Sequence, residues 1–213
     1  MKIRIGLLGV LVLVVALLPT NAYAETYMHR DQRGDLQTMD EDGEDNEIWT
    51  SFPDRVEGDI VWTRVTHLPR TIRIRIKFAD LARVDGGGFV GVQIKTGATG
   101  RSSYAFGIDA AYGNWRGTSD FGFQDVGCEC RAERESAYLG RCYAKRHTMD
   151  YADDSVLMTL PRRCVMNPRY IRVSIGTFRA AQRGPGFEDD AYAGSPFPTG
   201  IHEDRYSPRI YRD

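Results

Sequence analysis

The stretch "TIRIRIKF", from Thr71 to Phe78, alternates apolar and basic side chains without a break. Isoleucine or phenylalanine occupies every second position after Thr71, and arginine or lysine occupies the positions between. A period of two with β-branched residues is typical of a β-strand that buries one face. We therefore expect Ile74, in the middle of the apolar face, to be buried. The opposite face carries Arg73, Arg75 and Lys77, and we expect it to contact solvent, where charge discourages edge pairing.

The preceding segment "DIVWTRVTHL", from Asp59 to Leu68, alternates in the same way. One face carries Val61, Thr63 and Val65, and the other carries Trp62, Arg64 and Thr66. Only a tight connection, Leu68-Pro69-Arg70, separates the two segments. They are therefore predicted to pair as a hairpin.

Six further segments carry strand signals and are separated by turn residues. They are FVGVQIKT, SYAFGID, SDFGFQDV, RCYAKRHTMDY, SVLMTLP and RYIRVSIGTF. Together with the hairpin they make about eight short strands, and no long amphipathic helix accompanies them. This pattern predicts an all-β fold, an antiparallel β-sandwich of the jelly-roll type spanning residues 59–179.

The segments on either side of this domain are polar. Residues 25–58 contain the acidic run Asp40-Glu41-Asp42-Gly43-Glu44-Asp45, and we expect no regular structure there. The run does not match a calcium-binding EF-hand loop, because Asp45 and Ser51 stand where glycine and glutamate are required. Residues 180–213 are rich in Gly, Pro and Asp, and we expect a tail laid over the sandwich or a mobile end.

Residues 1–24 have the composition of a secretory signal peptide. Lys2 and Arg4 precede an apolar run from Ile5 to Leu18, and Ala22 and Ala24 form a small-x-small cleavage site. We expect cleavage after Ala24 and a secreted, extracellular protein; an uncleaved anchor is the alternative. Cleavage removes two of the 28 basic residues and none of the 29 acidic ones, leaving a net charge near −3. This balance does not favour nucleic acid or an anionic membrane as a partner.

The four cysteines are expected to form two disulfides outside the cytoplasm. Of the three possible pairings we favour Cys142 with Cys164, because each lies at or beside a strand of one predicted hairpin. In that pairing Cys128 joins Cys130. In the two other pairings, Cys128 and Cys130 are each joined to one of Cys142 and Cys164. Zinc is not favoured, because the C-x-C start differs from the usual C-x₂₋₄-C spacing. The sequence indicates no metal and no cofactor.

Two segments, "DIVWTRVTHLPRTIRIRIKFADL" and "LPRRCVMNPRYIRVSIGTF", resemble a group of secreted bacterial proteins of unknown function. The sandwich of these proteins resembles DOMON modules and family-9 carbohydrate-binding modules. The resemblance covers Asp31 to Arg179, and the run from Pro161 to Pro168, with its structural cysteine, is its most specific part. Cys128 and Cys130 lie outside the family's pattern. The resemblance implies binding rather than catalysis, and it supplies no catalytic residues.

A carbohydrate-binding protein presents aromatic rings that stack on sugar faces. The candidates are Trp115, Tyr112, Trp62 and Tyr104. Trp115 lies in "YGNWRG", which has the composition of a loop, and Trp62 shares a face with Arg64. The expected ligand is a cell-wall or extracellular glycan, although these residues could instead pack within the protein.

Two other functions are considered, a secreted hydrolase and a haem-binding DOMON-like module. The pairs Asp153-Asp154 and Asp189-Asp190 are adjacent in the chain, so their side chains point to opposite faces of an extended strand. No hydrolase motif is present. His67 with Met149 or Met166 could ligate haem, but no spacing supports the set. The sequence therefore favours a non-catalytic binding or structural protein of the cell exterior.

Overall fold

A computed structural model describes residues 25–41, 47–83, 86–96, 102–125, 142–180, 186–192 and 205–212. Within these ranges the chain forms two antiparallel sheets, and the only helix is a short 3-10 turn at Arg162–Val165. Side chains of both sheets share one hydrophobic core between them. The predicted all-β sandwich is therefore confirmed.

The first sheet has five strands in the order β1-β4-β5-β10-β9. Its strands are β1 (Glu25–Arg30), β4 (Ile60–His67), β5 (Thr71–Phe78), β9 (Arg146–Asp150) and β10 (Ser155–Pro161). The second sheet has eight strands in the order β3-β2-β12-β11-β6-β7-β8, with β13 also paired to β11. Its strands are β2 (Gln37–Glu41), β3 (Glu47–Ser51), β6 (Gly88–Thr96), β7 (Ser102–Ala111), β8 (Asn114–Asp125), β11 (Tyr170–Arg179), β12 (Phe187–Asp190) and β13 (Ile210–Tyr211).

The alternation in β5 gives the predicted faces. Ile74 is 1% exposed and lies opposite Val65 of β4, whose side chain is also buried. Arg73 and Arg75 face solvent, and Arg75 donates a hydrogen bond to the exposed Asp153 at 2.6 Å. The hairpin of β4 and β5 and the inward direction of Ile74 are confirmed.

The polar N-terminal segment contains strands, so the expectation that residues 25–58 lack regular structure is wrong. β1 pairs along its whole length with β4, and β2 lies between β3 and β12 in the second sheet. These are short strands at or near sheet edges, whose backbone pairing needs no alternation of apolar side chains. Leu36, which is completely buried, begins this part of the second sheet.

The C-terminal segment also adds to the second sheet. β12 pairs with one end of β11, and β13 pairs with the other end of the same strand. Part of residues 180–213 is therefore incorporated in the second sheet as strands rather than laid over the sandwich, and the sandwich extends beyond the predicted bounds 59–179. The eight predicted strands are all present, and the described chain adds five more.

One disulfide joins Cys142, just before β9, to Cys164 in the 3-10 turn after β10, with a Cα–Cα distance of 5.5 Å. The favoured pairing is thus present. Cys128 and Cys130 lie outside the described residues. No helix in the described ranges has the length and apolar character needed to span a membrane.

The run from Pro161 to Pro168 contains the 3-10 turn and forms hydrogen bonds to the β4–β5 hairpin. Arg162 is 3% exposed and donates hydrogen bonds to the carbonyl of Pro69 and, at 3.0 Å, to that of Asn167. Met166 and Asn167 have φ angles of 61° and 52°, so the chain reverses in a left-handed conformation. These contacts give a structural role to the run from Pro161 to Pro168, the most specific part of the family resemblance.

Candidate functional site

The outer face of the second sheet carries small side chains where its inner face carries large ones. In β6 the buried residues Val90, Val92 and Ile94 point into the core, so Gly91 and Gln93 point outward. The same alternation places Gly107 of β7 on the outer face. The centre of this face therefore lacks the side chains that would normally cover it.

Three glycines lie in one row across the sheet. Gly176 of β11 is directly opposite Gly91 of β6, which is directly opposite Gly107 of β7. The row continues to Asp190 of β12 at one end and to Asp120 of β8 at the other. With strands about 4.8 Å apart, the three glycines span about 10 Å of floor without a Cβ atom.

Two phenylalanines form the next row along the strands. Phe89 and Phe178 are directly opposite each other, and each is 38% exposed. The ring of Phe89 leans over the floor, because a Cβ atom on Gly91 or on Gly107 would lie 2.6 Å from its ring carbons. Glycine is therefore required at both positions for this ring to lie flat against the sheet.

The resulting depression has a volume of about 310 Å³. We call it the outer cleft. It is lined by Phe89, Gly91, Gly107, Gly176, Phe178 and Asp190, among others. Polar groups border it as well: the Tyr206 hydroxyl donates to Gln93 Oε1 at 2.6 Å, and Ser174 lies in the row beyond the glycines. An apolar platform with a few polar groups is the usual composition of a small-molecule site.

The acidic side chains of the outer cleft lie on one wall. Glu188 and Asp190 of β12 point outward, whereas Asp189 between them is 3% exposed and points inward. Adjacent acids thus point to opposite faces, as the sequence predicts for Asp189-Asp190. The acid at the far end of the glycine row, Asp120, is four strand spacings away, or about 19 Å. Asp109, opposite Phe89 in the row that contains Glu188, is three strand spacings from Glu188, or about 14 Å. Among the described residues, Glu188 and Asp190 therefore have no carboxylate facing them across the sheet at the separation that glycosidases use, about 5–9.5 Å.

The sequence-predicted aromatic residues do not line the outer cleft. Tyr112 is 83% exposed at the β7–β8 turn. Trp115 belongs to β8 rather than to a loop, because Asn114 already pairs with Ala111 of β7. Its ring makes an edge contact with Tyr151 in the turn between β9 and β10, with centroids 6.4 Å apart, at a second cleft of about 280 Å³.

Trp62 and Tyr104 lie elsewhere again. Trp62 is half-buried on the outer face of the first sheet, where Arg64 lies 5.5 Å and Arg75 6.0 Å from its ring. Tyr104 is 1% exposed and stacks on Phe121 in the core, so its assignment as a sugar contact is wrong. Its inward direction follows from the alternation of β7.

The outer cleft escaped the sequence analysis although the sequence contains its signal. The segments "FVGVQ", "AFGID" and "SIGTF" each place a glycine between two inward-facing residues. Each glycine alone is unremarkable in a strand. Only the register of β11, β6 and β7 aligns them into one row.

The proposed haem ligands are not brought together as a set. His67 is completely buried, and its Nδ1 bonds the carbonyl of Ile210 at 3.1 Å. Burial lowers the pKa of His67. Met149 pairs with Val156 of β10, which in turn pairs with Ile76 of β5. His67 pairs with Ile72, so the two proposed ligands are aligned with positions four residues apart along β5. Met166 is 44% exposed.

Comparisons with known protein families, with curated proteins and with solved structures find no match to this chain. The geometry of the described residues is therefore the basis for any functional assignment.

Proposed function

We propose that this is a secreted, non-catalytic glycan-binding protein of the cell exterior, and that the outer cleft holds the glycan. The observation that carries the proposal is the row of three outward-facing glycines beside the half-exposed rings of Phe89 and Phe178. A sheet face built in this way offers a flat apolar platform instead of a layer of polar side chains.

The chemistry of the outer cleft suits a neutral sugar chain. Aromatic rings stack on the apolar faces of sugars, and carboxylate and amide groups bond to hydroxyls. Glu188 and Asp190 would repel a phosphate or another anion, which disfavours nucleic acid as the ligand. The Phe89 ring lies over Gly91 and Gly107, and Gly176 leaves open floor beside it, so a sugar ring could stack on the exposed side of this platform.

Secretion is part of the same proposal. It is supported by the signal-peptide composition of residues 1–24 and by the disulfide between Cys142 and Cys164. A glycan of the cell wall or the extracellular matrix is then available to the protein.

A glycoside hydrolase is the second candidate, favoured by one observation. Glu188 and Asp190 are two residues apart on β12 and line the same cleft, so their Cα atoms are about 6.6 Å apart. Both stand on one wall, however, and a glycosidase needs carboxyl groups on either side of the scissile bond. Binding without cleavage is therefore the preferred function.

The experiment is a glycan array followed by calorimetry with two matched variants. Gly176→Val places a side chain on the floor of the outer cleft, where the only near atom is a backbone oxygen of Asp189 at 3.4 Å. Gly122→Val makes the same change on the same face in β8, where a Cβ meets nothing within 4 Å and the residue is not one of those that line the cleft. We expect Gly176→Val to weaken glycan binding at least tenfold and Gly122→Val to leave it unchanged.

Three results would count against the proposal. If no glycan binds the wild-type protein, the proposed function is wrong. If Gly176→Val binds normally while Trp115→Ala does not, the ligand occupies the second cleft. Release of reducing ends from a bound glycan, lost in Glu188→Gln, would identify a hydrolase instead.

A further inference from the structure

Four aspartates meet where the N-terminal segment, the start of β4 and β12 come together. Asp31 and Asp35 lie in the connection between β1 and β2, Asp59 directly precedes β4, and Asp189 is the inward-facing residue of β12. Carboxylate oxygens of Asp31, Asp35 and Asp189 all lie within 4.8 Å of one another. The cluster joins segments that are far apart in the sequence.

These carboxylates are shielded from water. Asp35 is 4% exposed, Asp189 is 3% exposed and Asp59 is 1% exposed. Several of the carboxylates accept a hydrogen bond from a backbone amide. Gln32 donates to Asp31 Oδ1 at 2.9 Å, and Ile60 donates to Asp189 Oδ2 at 2.6 Å. The orientation of the carboxylates is thus fixed by the fold.

Other oxygens of the cluster have no partner. Asp31 Oδ2, Asp35 Oδ1 and Asp59 Oδ1 are buried and accept no hydrogen bond from the described chain. Asp35 is the decisive case, because an almost completely buried residue with an unsatisfied carboxylate oxygen needs a compensating donor, proton or cation.

Among the described residues, no lysine or arginine forms an ion pair with the cluster. The ion pairs of Arg55 with Glu57, of Arg75 with Asp153, and of Lys77 with Asp153 and Asp154 all lie elsewhere. Arg33 acts electrostatically on Asp59 without forming an ion pair with it. The described chain therefore leaves the negative charge of the cluster without a direct counter-charge.

We propose that Asp31, Asp35 and Asp189 bind a calcium ion, with Asp59 beside them. Carboxylates are hard oxygen ligands, and Ca²⁺ binds oxygen at 2.3–2.6 Å. Two oxygens on opposite sides of one such ion are therefore about 5 Å apart, which accommodates the 4.8 Å limit of this cluster. The ion would supply the missing positive charge and fasten the N-terminal segment to β12.

The site goes beyond the proposed glycan-binding function and does not depend on it. Asp189 points to the inner side of β12, whereas Asp190 points to the outer cleft. A measurement of Ca²⁺ binding without any glycan therefore tests the site by itself.

The experiment measures Ca²⁺ binding and thermal melting of protein stripped with a chelator. We expect one Ca²⁺ per chain and a rise in Tm of about 5–10 °C at a free concentration of about 100 times Kd. In Asp35→Asn and Asp189→Asn, Ca²⁺ affinity should fall at least tenfold and the shift in Tm should disappear. Both variants should melt close to the wild type in chelator, because in each a neutral amide of the same shape replaces a buried carboxyl group that forms no ion pair with the described chain.

Two exposed aspartates of the second sheet provide the matched control. The double variant Asp109→Asn, Asp120→Asn removes two carboxylates of β7 and β8 that are not part of the cluster, and its response to Ca²⁺ should equal that of the wild type. The proposal fails if the wild type does not bind millimolar Ca²⁺, if Asp35→Asn and Asp189→Asn respond like the wild type, or if the double variant loses the response. Tighter binding of Mg²⁺ than of Ca²⁺ would contradict the choice of ion.

Discussion

At the scale of single residues, the two faces of β5 make different contributions to stability. Ile74 is 1% exposed between the sheets, so Ile74→Ala removes apolar contacts and leaves a cavity. We expect this to reduce the free energy of unfolding by about 2–5 kcal/mol. Arg73→Ala, on the water side of the same strand, is the matched control and should cost less than about 0.5 kcal/mol. Urea denaturation of both variants in one buffer measures the difference, and the reverse order would mean that the faces are inverted.

Residue patterns predict burial better than they predict binding. Alternation in β5 identifies Ile74 as buried because every second residue along the strand lies on the same face and is apolar. The cleft residue Gly91 has no such local signal, since its role depends on Gly107 and Gly176 on other strands. The same holds for Asp31 and Asp189, which lie far apart in the sequence and meet only in the folded chain. Pairing register, which no local pattern encodes, creates both sites.

At the scale of elements, the strands that carry a clear period of two are the ones that the sequence predicts. β1 escapes prediction because it is an edge strand with polar side chains, and its alternating burial runs only from half-buried to exposed. β12 and β13 are only four and two residues long, too short for a period to be recognised. These strands depend on partners already formed in the core, namely β4 for β1 and β11 for β12 and β13.

The disulfide that links the segment before β9 to the 3-10 turn after β10 gives a prediction at this scale. The disulfide of Cys142 with Cys164 closes a segment with a sequence separation of 22. On the chain-entropy estimate it stabilises the fold by about 3 kcal/mol, so Cys142→Ser with Cys164→Ser should lower the urea midpoint accordingly. The control, Cys128→Ser with Cys130→Ser, should cost less if those cysteines pair with each other, because the loop is far shorter. Equal losses in the two double variants, or free thiols in the denatured wild type, would contradict the prediction.

At the scale of the whole molecule, β12 is the element that both proposals share. Its outward residues Glu188 and Asp190 border the outer cleft, and its inward residue Asp189 belongs to the aspartate cluster. An ion bound at the cluster would hold β12 against the N-terminal segment from behind. The ion would then fix the position of the cleft wall that β12 forms, although the glycan contacts and the ion contacts come from opposite faces of the strand.

The N-terminus of the exported protein can be predicted from the same whole-molecule view. β1 starts at Glu25, the residue after the expected cleavage site, and all six of its residues pair with β4. The Glu25 carboxylate also accepts a hydrogen bond from the backbone of Tyr211, so processing after Ala24 preserves every contact of this strand. N-terminal sequencing of exported protein should therefore begin at Glu25. A chain made to start at Glu25 and oxidised in vitro should melt at the same temperature as the exported protein, whereas one that starts at Asp31 should melt lower because it lacks β1. An exported chain that retains Ile5 to Leu18 would contradict the prediction and indicate a membrane anchor.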